Sequence, residues 1–435
     1  MLGGLKALYR KVPIEITGLA LRLFHAGFTF IIAIILARFM GPESYGEFAY
    51  VLSWILFGSL IAQVGLPVFL VREVAISKYE NDTLKLNGLL KLSNLIVLGV
   101  SIIVTLIIYG VASTEALGKP SLNLLMIGLP SIFFISYIAV NQGIVRGLGG
   151  IIGGQLSNLF IRPLSQFLVL AGILILFGFN SLTPRFAIWS LTLSTFAGFV
   201  VAFFLKHIFK PTVRHKVEKV EWSFWRKGLL KLSLLNFVTA LSTTISVLVL
   251  GVLSTKTEVG FYNVCAQLVI LLSLGLNVIN AQYAPELSEA YAADEKKQLQ
   301  RLATQASRFS LLIAFPFAIL ALFFGSGVLT LLFDVGYAQA APALAILSIG
   351  NIFNAMCGSV ALILVSARLE HHVVIWQCLG LVFHVILLVI LCPPYGAMGA
   401  AIAATSSLIL WNSALLMKVW TTTGIISLPI RMKAG

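Results

Sequence analysis

Two arginines, Arg22 and Arg162, sit well inside long apolar runs of this chain, and each belongs to a polar stripe. The first stripe reads Glu15, Gly18, Arg22, His25 and Thr29, at spacings of 3, 4, 3 and 4. On a helix these positions share one face, with Leu, Phe and Ile opposite. The second reads Gln155, Asn158, Arg162 and Ser165, a spacing that puts them on one face of a regular helix as well. A guanidinium is unfavourable in hydrocarbon, so it faces protein, a water-filled cavity or an anionic guest. It binds phosphate bidentately and keeps its charge at any biological pH. The 16 carboxylates all fall in connections or at the ends of apolar runs. Two cations without matching mid-membrane anions call for an anionic ligand. The candidate internal partner is Glu15, two helical turns before Arg22.

Other polar residues recur inside the apolar runs. They include Gln63, Asn141, Gln142, Asn236, Thr239, Thr243, Ser246, Asn263, Gln267, Asn277, Asn280, Asn351, Asn354, Gln377 and His384. For most of these, hydrogen bonds between helices are the plainer reading, at about 0.6–2 kcal/mol each. His384, alone on an apolar helix, reads as a packing histidine. His25, one turn from Arg22, is evenly balanced between packing and ligand contact. Arg146 lies near the end of its run, where snorkelling to the interface explains it as well as ligand contact does. The candidate ligand set is Arg22, Arg162, His25, Arg146, Asn158, Thr29, Gln63, Asn236 and Asn277. Glu15 and His25 are the candidate ion-coupling groups, with Na+ or H+ as the coupling ion.

The elements that must hold these residues are membrane spans. The chain has 435 residues, 59% hydrophobic and 11% charged, which no soluble domain of this length resembles. A spanning helix needs roughly 20 mostly apolar residues. That ruler places twelve spans, near 14–39, 45–71, 88–112, 122–145, 155–178, 186–206, 230–253, 259–283, 309–333, 341–366, 372–392 and 396–417. The first run is too long for a cleavable signal and lacks a small-residue cleavage site, so it reads as the first span. The four cysteines, Cys265, Cys357, Cys378 and Cys392, show no CxxC spacing and read as buried small hydrophobes; no metal site is expected.

The formal charge of +14 reports topology rather than nucleic acid. Beyond Arg22 and Arg162, one set of connections carries Arg38, Lys119, Arg185 and Lys256, and the other carries every remaining lysine and arginine. This asymmetry places both termini in the cytoplasm and predicts attraction to anionic membrane lipids. The most basic stretch, 206–231, contains Trp222, Phe224 and Trp225, and suits an amphipathic segment on the inner surface. It divides the chain into a six-helix bundle at 1–209, a basic linker at 210–229 and a second six-helix bundle at 230–435.

The bundles read as repeats. A shift of 214 residues puts Gly46 on Gly260, Phe48 on Tyr262, Ser53 on Gln267, Gln63 on Asn277, Arg22 on Asn236, His25 on Thr239 and Thr29 on Thr243. Six spans between copies give both the same orientation, so the repeats are parallel and related by an axis along the membrane normal. Two such bundles enclose a central cavity and can rock to give alternating access. The chain contains no P-loop, GxSxG or HExxH motif, and no extramembrane domain of the size that a sugar-polymerising membrane enzyme needs.

The stretch Ala37-Arg38-Phe39-Met40-Gly41-Pro42-Glu43-Ser44-Tyr45-Gly46-Glu47-Phe48, followed by Gly65-Leu66-Pro67 and Arg72-Glu73, resembles the first hairpin of Wzx-type polysaccharide-repeat flippases. These belong to the multidrug/oligosaccharidyl-lipid/polysaccharide exporter superfamily. A weaker echo follows in Gly260-Phe261-Tyr262 and Pro285-Glu286-Leu287. The resemblance implies an all-α fold like that of MATE exporters, about twelve spans in two six-helix bundles. It implies an undecaprenyl-pyrophosphate-linked oligosaccharide as cargo, moved to the outer face of a bacterial inner membrane for O-antigen, capsule or exopolysaccharide assembly. Polymerase and assembly proteins would be its partners. Cationic cavity residues would hold the pyrophosphate. Related peptidoglycan-precursor flippases typically have fourteen spans. The competing expectation is a small-molecule or drug exporter of the same superfamily. Exporters of cationic drugs generally need a buried acid, and only Glu15 could serve here.

Overall fold

The computed structural model describes residues 14–114, 119–178, 181–209 and 222–429. The side chains of Glu15, Asn236, Thr239 and Asn277, and residues 210–221 of the basic linker, lie outside the described residues. The described residues form helices and turns, with no strand among them. In chain order the helices are α1 Ile14–Gln63, α2 Leu66–Tyr79, α3 Thr83–Ser113, α4 Lys119–Gly128, α5 Pro130–Gly147, α6 Ile151–Leu156 and, after a π-helical turn at Ser157–Ile161, α7 Arg162–Phe177. They continue as α8 Pro184–Phe209, α9 Trp222–Leu253, α10 Lys256–Ala292, α11 Lys296–Leu332, α12 Ala341–Cys357, α13 Val360–Ser366 and α14 Glu370–Thr423.

Eight stretches among the described residues are long and apolar enough to cross a membrane. Two of them are broken where the sequence separates successive spans. In α1 the break is Gly41, at φ 74°, a conformation glycine reaches without a Cβ clash; Pro42 then restarts the helix, where its missing N–H is no loss. In α14 it is Gly396, at φ 52°, after Pro393 and Pro394. There the Glu258 carboxylate accepts the Ala397 N–H at 2.6 Å and so satisfies one orphan donor of the restarted helix.

By its contacts the chain forms two units, Met1–Ile32 with Val51–Leu241, and Ala33–Tyr50 with Ser242–Gly435. In the first unit α5 runs beside α1 and α2 over a core that includes Leu66, Phe69, Leu70, Val140 and Ile144. Ser136 donates to the Ser59 carbonyl at 3.0 Å. Further along, a Cβ on Gly143 would strike the Pro67 backbone, and one on Gly147 would meet Val71 and Val74. The partner positions rise together, so these helices run parallel, in near backbone contact.

The second unit has a corresponding parallel seam of α10 against α12 and α13. Ser273 donates to Asn351 at 2.9 Å, Ser359 donates to Asn280, and Ser288 pairs with Ser366 at 2.9 Å. Here the helices are joined through side-chain hydrogen bonds. The same unit holds the segment Ala33–Tyr50 through a reciprocal contact. A Cβ on Gly46 would strike Lys256 and Gly260, and a Cβ on Gly260 would strike Pro42 and Gly46. Under the 214-residue shift Pro42 corresponds to Lys256 and Gly46 to Gly260, so each helix presents to the other what it receives. Small residues that let backbones approach are the usual basis of close helix crossings in membranes.

Several polar residues of the spans do bond between helices. Asn141 donates to Asn94 of α3 at 3.3 Å. Tyr45 donates to Asn263 at 3.3 Å. His384 is buried and its Nε2 meets Ser246 Oγ at 3.1 Å. Arg72 and Lys85 each stand 3.8 Å from the buried Glu73, while Arg38 donates to the Leu331 carbonyl at 3.2 Å.

Candidate functional site

The site is assembled in the first unit, where the N-terminal part of α1 meets the π turn and α7. Phe24 stacks on Phe28 at 4.2 Å and packs against Phe160 at 4.6 Å; Phe28 meets Phe167 edge-on at 5.4 Å. These rings fix α1 against α7 along one flank. On the other flank lies the polar stripe of α1. His25 is half-buried, its Nδ1 is enclosed without a hydrogen-bond partner, and it lies within electrostatic reach of the Arg162 guanidinium.

Arg162 follows the π turn directly. Its N–H donates to the Ser157 carbonyl, five residues back rather than four. The next residue is Pro163, which has no N–H and whose ring crowds the carbonyl four residues before it; a widened turn relieves that clash. Ser165 donates to the carbonyls of Ile161, at 2.7 Å, and Arg162, at 3.0 Å, and so ties the end of the turn. Gly198 of α8 packs here, where an added Cβ would lie 3.3 Å from the Ser157 carbonyl oxygen and 3.8 Å from Arg162 Cβ.

This turn corrects the second stripe. Spacing alone puts Gln155, Asn158, Arg162 and Ser165 on one helical face, but an inserted residue shifts everything after it by about 100°. Gln155 is buried, with an unpartnered Oε1, whereas Asn158 and Arg162 are half-buried. The four residues do not form a single line.

The remaining candidates divide clearly. Arg22 is exposed on α1, and Thr29 is half-buried further along the same stripe. Gln63 is half-buried at the end of α1. Arg146 is exposed in the last turn of α5, with its Cγ beside Gly154. Asn236, Asn277 and Glu15 were singled out in the sequence, but their side chains lie outside the described residues. Of the set, the structure brings His25 and Arg162 together. Sequence reasoning passed over the phenylalanines that dock α1 and the role of Gly198. Phe24 and Phe28, one turn apart on α1, were a visible signal for the docking; a glycine in an apolar run gave none for Gly198.

The chain shares the fold of solved MOP-superfamily transporters. The likeness to an inward-facing multidrug-resistance transporter of the MATE family covers 92% of this chain and 94% of that one, with a TM-score of 0.74 at 15% identity. The lipid II flippase MurJ, in an inward closed conformation, aligns over 93% of this chain and 87% of its own, with a TM-score of 0.68 at 14% identity. Residues 17–290 match the family described as polysaccharide biosynthesis protein, and the chain belongs to that family. It is 28% identical over 169 residues to the capsular polysaccharide biosynthesis protein CapF of Staphylococcus aureus, a match covering 39% of this chain and 42% of that protein. The chain matches 31% of the length of the uncharacterized membrane protein MJ1068 of Methanocaldococcus jannaschii and 42% of that of CapF.

Proposed function

We propose that this protein is a flippase for lipid-linked oligosaccharide repeat units, carrying an undecaprenyl-pyrophosphate-linked cargo from the cytoplasmic to the outer face of a bacterial inner membrane. Its two halves alternate access, and both termini are cytoplasmic. The observation that carries the reading is the half-buried Arg162 beside His25, whose Nδ1 is enclosed and unpartnered, in a chain of the polysaccharide biosynthesis family. A pyrophosphate is the doubly acidic group that a fixed guanidinium and an imidazole donor recognise. Its desolvation in lipid would otherwise cost many kcal/mol. The lipid tail stays in the bilayer while the polar head crosses through protein.

The product would enter O-antigen, capsule or exopolysaccharide assembly, with a polymerase and assembly proteins as partners and anionic lipids at the basic surface. Coupling to Na+ or H+ would act through Glu15 or His25. A second reading, a small-molecule exporter, is favoured by the likeness to the MATE-family transporter. The test is transfer of undecaprenyl-pyrophosphate-linked sugar in proteoliposomes, read as accessibility to a membrane-impermeant enzyme. Wild type should transfer it above empty vesicles, and Arg162→Gln should fall to the empty-vesicle rate while keeping its unfolding midpoint. Wild-type rates in Arg162→Gln would remove the anion-binding argument.

A further inference from the structure

We propose that the π turn at Ser157–Ile161 is the device that aims Arg162, and that Pro163 and Gly198 are the positioning residues that maintain it. The inference rests on the anion-binding reading of Arg162 given above.

The packed side of α7 is marked by its buried residues, Pro163, Gln166 and Leu170. At about 100° per residue these lie on average about a quarter turn on from Arg162. Closing the π turn to a regular α turn, with α6 held in place, would rotate the whole of α7 forward by about 100°, and so carry the guanidinium to where Pro163, Gln166 and Leu170 now pack. With the turn present, Arg162 stops short of it and remains half-buried, within reach of His25. The turn therefore decides whether the charge points into the bundle or to its edge.

Two features hold the turn in place. Pro163 withholds the N–H that a regular helix would use and disfavours the tighter four-residue ring. Gly198 leaves open the space against the Ser157 carbonyl and Arg162 Cβ; a methyl group there would also come within 2.9 Å of Ile138 Cδ1. Because Ile138 can give way, Gly198→Ala is a mild change that displaces the turn by a few tenths of an ångström without breaking the fold.

The test is a double-mutant cycle read by binding of farnesyl pyrophosphate to the purified, detergent-solubilised full chain, with the unfolding midpoint as the folding control. Gly198→Ala and Pro163→Ala should each weaken binding roughly three- to tenfold in the wild-type background, and should have no further effect in Arg162→Gln, because contacting residues couple and distant ones add. A purely structural role would weaken binding by the same factor in both backgrounds. That result, or wild-type affinity in both Gly198→Ala and Pro163→Ala, overturns the proposal. If Arg162→Gln itself binds as wild type does, the anion-binding reading fails instead, and the positioning role fails with it.

Discussion

The two parallel seams solve the same packing problem with different chemistry. In the first unit Gly143 and Gly147 bring α5 onto the backbone and side chains of α2, with Pro67, Val71 and Val74 filling the space where side chains would stand. In the second unit α10 is held from α12 and α13 by Ser273–Asn351, Asn280–Ser359 and Ser288–Ser366. Backbone contact is intolerant of added volume and needs no water. Side-chain hydrogen bonds can be remade with water or with one another, so the second seam can be loosened piecemeal where the first cannot. Repeats that agree in register thus differ in how much deformation each accepts.

The harshest way to break this comparison is to add volume to the first seam. Gly143→Val should lower stability by about 3 kcal/mol, in the range for overpacked sites, because the added atoms meet the Pro67 backbone rather than a movable side chain. A thermal unfolding midpoint within a degree or two of wild type would show that the seam yields after all. The second seam should respond gently. Ser273→Ala and Asn351→Ala should each cost about 0.6 kcal/mol, and the double variant should lose less than the sum of the two. Losses as large as that of Gly143→Val would erase the distinction.

A further effect concerns Lys256, the first residue of α10. Its ammonium lies 3.5 Å from the Tyr50 ring centroid and donates to the Gly251 carbonyl at 3.3 Å. Burial pushes its pKa from 10.5 down to about 8, against the opposing pull of Glu47. Between those values the unfolded chain holds a proton that the folded chain has released, so stability rises with pH from about 8 to about 10.5 and is flat in this group below that window. The difference in unfolding midpoint between wild type and Lys256→Met should therefore move in favour of wild type across that window. A pH-independent difference would mean that Lys256 keeps its ordinary proton affinity in the fold.

The part of the site that was legible has local signals. Arg22, His25 and Thr29 were read at helical spacing, and α1 is continuous through them, so the stripe survives in the structure. Arg162 stood out as a charge in an apolar run. The line through Gln155, Asn158 and Arg162 failed, because spacing assumes a constant 100° per residue and the π turn breaks it. The Arg-Pro pair at 162–163 hinted at a disturbance, but proline permits several responses. Gly198, far along the chain, is part of what makes this one fit.

By itself the sequence determined the membrane character, the separation of successive spans between 39 and 45 and between 392 and 396, the repeat register and the isolated cations. Each follows from the transfer free energy or backbone freedom of a few neighbouring residues. Tertiary structure alone decided that Ala33–Tyr50 packs with the second unit, that Gly46 and Gly260 meet reciprocally, and that Arg162 stands half-buried within electrostatic reach of His25. Those outcomes depend on which distant backbone occupies the space beside a residue, and hydrophobic burial, being non-directional, does not specify it.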